Sequence, residues 1–317
     1  MRFIPVTSLV LGSCLAFPAM AADAQAWLQR LGNAERNQSF QGTFVYERNG
    51  NFSTHSIWRQ VEPSGGVRER LLQLDGAPQE ILRVDGQAQC VSGSLSEQVA
   101  DTQAWPAHEL NAQQLAEWYE LRVIGESRVA GRSAVVLGLS PRDQHRYGVE
   151  LHLDRDTGLP LKSLLVNDKG VLLERFQFTQ LDTTQAPSAA VLQPTADCNP
   201  IRLVKSERAQ PEPWRSDWIP PGFTLSAVTQ RRSPASADTV DCLIYDDGLA
   251  RFSVFLEPLH DAAVADARSQ LGPTVAVSRR LSTAEGDVMV TVVGEIPLGT
   301  AERVALSMRT DEVHATP

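Results

Sequence analysis

The chain has 317 residues, 42% of them hydrophobic, and a formal charge of −9 from 29 basic and 38 acidic side chains. That balance excludes a nucleic-acid surface, which needs a basic stripe to displace counterions; the longest basic runs are Arg231-Arg232 and Arg279-Arg280. The length exceeds what one hydrophobic core usually organises, so two domains are expected.

Met1 and Arg2 precede an apolar run from Phe3 to Phe17, followed by Pro18 and the small-x-small triplet Ala19-Met20-Ala21. This pattern predicts a signal peptide over residues 1–21, cleaved after Ala21. The alternative is a lipoprotein box at Leu11-Gly12-Ser13-Cys14, with Cys14 lipidated. No later run approaches the roughly 20 apolar residues of a membrane-spanning helix, so a soluble, exported chain is expected.

Asp23 is placed to cap a helix in which Trp27, Leu28, Leu31 and Ala34 recur at helical spacing. From Phe40 the period becomes two, and the turn Asn49-Gly50 between alternating runs predicts a hairpin. Further strands are expected over 52–61, 67–74, 79–84 and 87–92, separated by Ser64-Gly65-Gly66, Asp75-Gly76 and Asp85-Gly86. Between Gly93 and Trp118 the alternation stops, and Asn111 can cap a helix carrying Leu115, Trp118 and Tyr119. Strands resume over 121–129, 133–139, 146–154, 161–166 and 171–181. About ten consecutive antiparallel strands must curl because of their intrinsic twist, so a large half-open barrel with covering helices is expected over 22–182.

Residues 183–213 lack periodicity and contain five prolines, the composition of an interdomain linker. A smaller α+β domain is expected over 214–317. Its strands flank Asp246-Asp247-Gly248 and continue over 274–281 and 288–294, and Thr300 is placed to cap a closing helix with Val304, Ala305 and Met308 on its apolar side. The fold class is therefore mainly β, with α+β character in the second domain.

Chemistry-bearing patterns are sparse. No two of the six histidines have the i, i+4 spacing of a helical metal pair, and His55 and His152 read as solvated strand residues. Asp154 and Asp156 fall in Asp154-Arg155-Asp156-Thr157-Gly158, where Asp and Gly serve a turn. No phosphate loop, nucleophile elbow or metalloprotease motif occurs, so no enzyme activity, metal or cofactor is expected. Cys90, Cys198 and Cys242 survive leader cleavage, and none has a CxxC neighbour. Cys198 and Cys242 are the nearer pair in sequence and are the expected disulfide, with Cys90 left as a buried thiol. Phe44, Tyr46, Trp58, Phe176 and Phe178 supply more large apolar side chains than closing a tight barrel requires. Two readings follow, an ordinary core beneath the Trp27 helix or a concave face that holds a lipid chain.

Several strings bear a resemblance across both expected domains: Phe40-Gln41-Gly42-Thr43-Phe44-Val45-Tyr46, Arg68-Glu69-Arg70-Leu71-Leu72, Glu150-Leu151-His152-Leu153-Asp154-Arg155, Asp247-Gly248-Leu249-Ala250-Arg251-Phe252-Ser253-Val254-Phe255 and Val290-Thr291-Val292-Val293-Gly294-Glu295-Ile296-Pro297. They resemble the MucB/RseB family, most of all its pseudomonad members. The resemblance implies a periplasmic negative regulator of an envelope-stress sigma factor of the AlgU or sigma-E type, and a large domain like the lipoprotein carriers LolA and LolB. It implies binding of the periplasmic domain of a membrane-spanning anti-sigma factor (MucA or RseA), protection of that partner from regulated proteolysis, and release by a lipid or lipopolysaccharide fragment. On that basis Leu249, Arg251, Phe252, Phe255 and Glu257 are candidate partner contacts, and Phe44, Tyr46, Trp58, Phe176 and Phe178 candidate lipid contacts. Homo-oligomerisation stays open. The alternative is a periplasmic lipid or lipoprotein carrier without a regulatory role, from which the second domain would distinguish this chain.

Overall fold

The computed structural model describes residues 17–77, 79–92, 110–200, 214–234, 236, 238–259, 265–284 and 286–310. Residues 1–16 of the expected leader, with Cys14, lie outside the described residues, as do 93–109 of the expected insertion and 201–213 of the expected linker.

Helix α1 spans Phe17–Asn37. Asp23 therefore lies inside the helix rather than at its cap, while Leu28, Leu31 and Ala34 are buried on the expected face. The meander follows as β1 (Phe40–Arg48), β2 (Asn51–Val61), β3 (Val67–Gln73), β4 (Glu80–Val84) and β5 (Gln87–Val91). Both residues of the Asn49-Gly50 turn have positive φ, the geometry that made this pair a hairpin signal. Helix α2 (Ala112–Trp118) is capped by Asn111, whose side-chain oxygen accepts from the amides of Gln113 and Gln114. The remaining strands of the large sheet are β6 (Tyr119–Val129), β7 (Arg132–Pro141), β8 (Gly148–Asp154), β9 (Pro160–Val166), β10 (Leu172–Asp182) and the short β11 (Asn199–Pro200).

The sheet order is β11-β5-β4-β3-β2-β1-β10-β9-β8-β7-β6, with the first and last long strands, β1 and β10, paired at its centre. β6 returns to within 8 Å of β10, four positions away, where a flat sheet would hold them about 19 Å apart. The sheet thus curls, but its ends β6 and β11 do not pair, which makes it a half-barrel. Helix α1 fills the curl: Ala24, Leu28 and Leu31 pack with Leu115, Leu121, Leu137 and Leu151, and Ala34 packs with Phe40, Phe44, Leu161 and Phe178.

Part of the expected linker is held against the large sheet. Pro200 is opposite Cys90, Thr195 donates backbone and side-chain hydrogen bonds to buried Glu80, and the Val191 carbonyl accepts from Arg70 at 2.9 Å. This arrangement corrects the expected disulfide: Cys90 is bonded to Cys198, and Cys242 is a buried thiol. Nearness in sequence misled because β5 and β11 are joined by sheet pairing, whereas Cys242 lies in a strand of the other sheet beside Val240, Ile244 and Phe255.

The second sheet contains β13 (Thr224–Arg232), β14 (Thr239–Asp246), β15 (Arg251–Pro258), β16 (Ala267–Leu271), β17 (Thr274–Thr283) and β18 (Gly286–Gly294), in the order β13-β14-β15-β18-β17-β16. Helix α3 (Leu298–Ser307) packs on β17 and β18, burying Ala301, Val304 and Ala305, and the two-stranded pair β12 (Trp214–Ser216) and β19 (Met308–Thr310) closes the domain. Thr300 is a residue of the first turn and not the cap, a position held by Pro297.

Candidate functional site

The pairing of β1 with β10 builds an aromatic cluster from facing residues 130 to 134 positions apart in the chain. Phe44 is opposite Phe178, and Tyr46 opposite Phe176, so all four share the face toward α1. Ring centroids lie 4.7 Å apart for Phe44–Phe176, 5.9 Å for Phe44–Phe178 and 5.1 Å for Phe176–Phe178, within the range of favourable aromatic pairs. Gly42 provides room for this packing, since a Cβ there would stand 2.8 Å from the Phe178 ring and 2.5 Å from the Gln180 carbonyl oxygen. Phe44 and Phe178 are buried, whereas Tyr46 and Phe176 are half-buried.

Trp58 does not join the cluster. It is opposite Gln41 and Arg70, on the other face of the sheet, with the Arg70 guanidinium 5.2 Å from its ring centroid. The same period-two logic brings His55 in: it is opposite Phe44 and stacks on it at 5.1 Å, and burial lowers its pKa. His152 also departs from the solvated expectation. It is buried between Ser127 and Glu150, whose oxygens lie 2.7 and 2.8 Å from its ring nitrogens, and burial again lowers its pKa. Asp154 serves its turn, accepting from Thr157 and from both Nε and Nη2 of Arg132.

A seam between the two domains adjoins this face. At one end Arg146, fully buried, donates to Asp247 Oδ2 at 2.7 Å, to Asp143 at 3.0 Å and to the Pro221 carbonyl. Its guanidinium is 5.1 to 5.5 Å from the ring centroids of Phe223, Trp118 and Tyr119. Asp247 is equally buried and also accepts from the Tyr119 hydroxyl and the amides of Leu249 and Ala250. Burial raises the Asp247 pKa, while those amides and Arg146 oppose the shift. A buried pair of this kind fixes one orientation, because separating it leaves an uncompensated charge out of water. Gly222, at φ +86°, lets the second domain approach the Trp118 ring; a Cβ there would be 2.4 Å from it. At the other end Arg48 of β1 donates to Thr274 and, at 2.8 Å, to Glu295.

The five candidate partner residues scatter. Phe252 and Phe255 are buried core of the small sheet, so a partner cannot reach them in this fold. Leu249 packs against the large domain's core, Arg251 pairs with Asp246, and Glu257 accepts from Ser233. The seam residues Arg48, Asp143, Arg146, Asp247 and Glu295 were not singled out by sequence reasoning. Period and turn chemistry place each on a strand or turn but give no sign of which charges meet across domains. Among the described residues no cluster of His, Cys, Asp or Glu could hold a metal ion.

Residues 23–196 match the family model for the MucB/RseB N-terminal domain, and residues 208–309 the model for the MucB/RseB C-terminal domain. The chain belongs to the MucB/RseB family. The sigma factor AlgU regulatory protein MucB of Pseudomonas aeruginosa is 66% identical over 302 residues, covering 95% of this chain and 96% of that protein. The MucB/RseB fold is also shared with a solved complex of Pseudomonas aeruginosa MucA and MucB, at 65% identity and TM-score 0.81, covering 92% of this chain and 100% of that one. A crystal structure of MucB matches at 63% identity and TM-score 0.70, covering 92% and 98%.

Proposed function

We propose that this chain is a periplasmic negative regulator of an envelope-stress sigma factor, acting by binding the periplasmic domain of a membrane-spanning anti-sigma factor and shielding it from regulated proteolysis. The observation that carries this reading is membership of the family over both domains, together with a 0.81 superposition on MucB in complex with MucA. The geometry is compatible with a binding role: two domains are keyed together by buried charge, and Asp154 and Asp247 are engaged in turns and ion pairs.

Release by a lipid belongs to the same proposal. Tyr46 and Phe176, the half-buried members of the aromatic cluster, are the side by which an acyl chain would enter, and Phe44 and Phe178 form its floor. Because Tyr46 donates to Glu174 beside Arg48, occupation of that face can disturb the contact to the second domain. By linkage, a lipid that weakens partner binding must itself bind the complex more weakly by the same factor.

The test is a protease-protection assay on the anti-sigma periplasmic domain with the mature chain, with and without lipopolysaccharide. Protection that lipopolysaccharide abolishes is expected, and Phe176→Ser should retain protection while requiring several-fold more lipopolysaccharide to lose it. Equal cleavage with and without the chain would refute the regulatory reading. Lipid binding without protection would favour the carrier alternative.

A further inference from the structure

Arg48 stands between two carboxylates, one from each domain. Its Nη2 donates to Glu295 Oε1 at 2.8 Å, and its Nε lies 3.7 Å from Glu174 Oε2, the oxygen that accepts from the Tyr46 hydroxyl at 2.6 Å. Thr274 of the second domain also accepts from Arg48. Glu174 and Arg48 are mostly covered, at 21% and 31% side-chain exposure, while Glu295 is half-exposed. Around this group Tyr147 donates to the Ile296 carbonyl, and its ring, with Leu165 and Ala250, lines a small cavity of about 30 Å³ against Glu295. The charged and titratable groups facing Glu174 are therefore Arg48 and Tyr46 from β1 and Glu295 from the second domain, with Tyr147 beyond Glu295.

One cation shared by two carboxylates leaves a net negative charge when all are ionised, and the covered Glu174 has little water to screen it. We propose that Glu174 is a proton-responsive latch between the two domains: with Glu174 neutral, Arg48 and Glu295 are balanced and this end of the seam is held, and with Glu174 ionised the excess charge loosens it. Burial, and then Glu295, raise the Glu174 pKa to about 7, against the pull of Tyr46 and Arg48. Separation of the domains removes Glu295 and admits water, which returns the group toward the ordinary carboxylate range near 4.5. The closed form thus binds the proton more tightly than the open form. Closure is fully supported below about pH 4.5 and weakens as pH rises toward about 7, by at most about tenfold per pH unit. The opposite end, at Arg146 and Asp247, does not share these groups, so opening is confined to the Arg48 side.

The experiment is energy transfer between dyes on N51C and Q270C in the mature chain, two exposed positions flanking the Arg48 contact on either domain. Cys242 is fully buried and Cys90 and Cys198 are bonded to each other, so the dyes go only to the new thiols. Transfer should fall as pH is raised from 5 to 8. E174Q, which keeps the Tyr46 partner and stays neutral, should hold high transfer throughout. E295Q, which removes the second carboxylate without touching Glu174, relieves the excess charge and should move the midpoint down. Transfer independent of pH in the parent, a pH response retained in E174Q, or an unmoved midpoint in E295Q would each overturn the latch.

Discussion

Arg146 is buried at the seam and holds partners in both domains, Asp143 on its own side and Asp247 and Pro221 on the other. Removing it leaves Asp247 and Asp143 without their cation, one of them fully buried, and broken buried pairs of this kind cost about 3–5 kcal/mol. Arg146→Ala should therefore destabilise the protein by that amount in urea unfolding. Pairing it with Asp247→Asn should recover part of the loss, because the orphaned charge is then gone. Glu35 presents the reverse situation, a carboxyl whose Oε1 is buried without a hydrogen-bond partner and whose pKa is raised to about 8, chiefly by burial. A raised carboxyl binds its proton more tightly when folded, so its contribution to stability is lost as pH rises from about 4.5 through about 8. Glu35→Gln should be neutral at pH 4 and stabilising by about 1–2 kcal/mol at pH 9, as thermal melts across pH will show. Neither residue carried a signal in the sequence. An Arg at a strand start and a Glu on a helix read as ordinary solvated charges until the opposing surface is known.

The strands and their turns were legible, because alternation and residues such as Asn49-Gly50 are local properties. Long-range pairing was not. Asn49-Gly50 marks β2 as one neighbour of β1, but nothing in the alternation says that β10 is the other, and that fact brings Phe176 and Phe178 to Phe44 and Tyr46, while the hairpin register sets Trp58 opposite Gln41 on the other face. The grouping of four candidate aromatics was readable as an excess of apolar side chains, but the fifth failed because a face is fixed by register, not by residue type. The two-residue strand β11 shows the same limit: it is too short for any periodic signal, yet it brings Cys198 to Cys90. That bridge closes a loop of 108 residues, for which chain entropy predicts about 4–5 kcal/mol of stabilisation. Cys198→Ser should lower stability toward that extent and expose 188–200 to hydrogen exchange. Cys242→Ser should leave both the bridge and the exchange of 188–200 unchanged.

In the whole molecule, the proposed function has the two domains acting together on an anti-sigma factor. The buried Arg146–Asp247 pair at one end of the seam and the Arg48–Glu295 contact at the other hold the half-barrel and the small domain in register. The two-domain plan was visible in the length and in the proline-rich stretch after Asp182, whereas the contact between domains was visible only in the folded chain. If the arrangement rather than either domain alone is recognised, loosening the seam must weaken the partner without touching its contacts. The most direct measurement is titration calorimetry of the mature chain and of Asp247→Asn with the periplasmic domain of a MucA-type anti-sigma factor. Tight binding to the parent chain is expected, with affinity at least about tenfold weaker, some 1.4 kcal/mol, for the variant. No binding by the parent, or undiminished affinity in a variant shown to have a loosened seam, would contradict it.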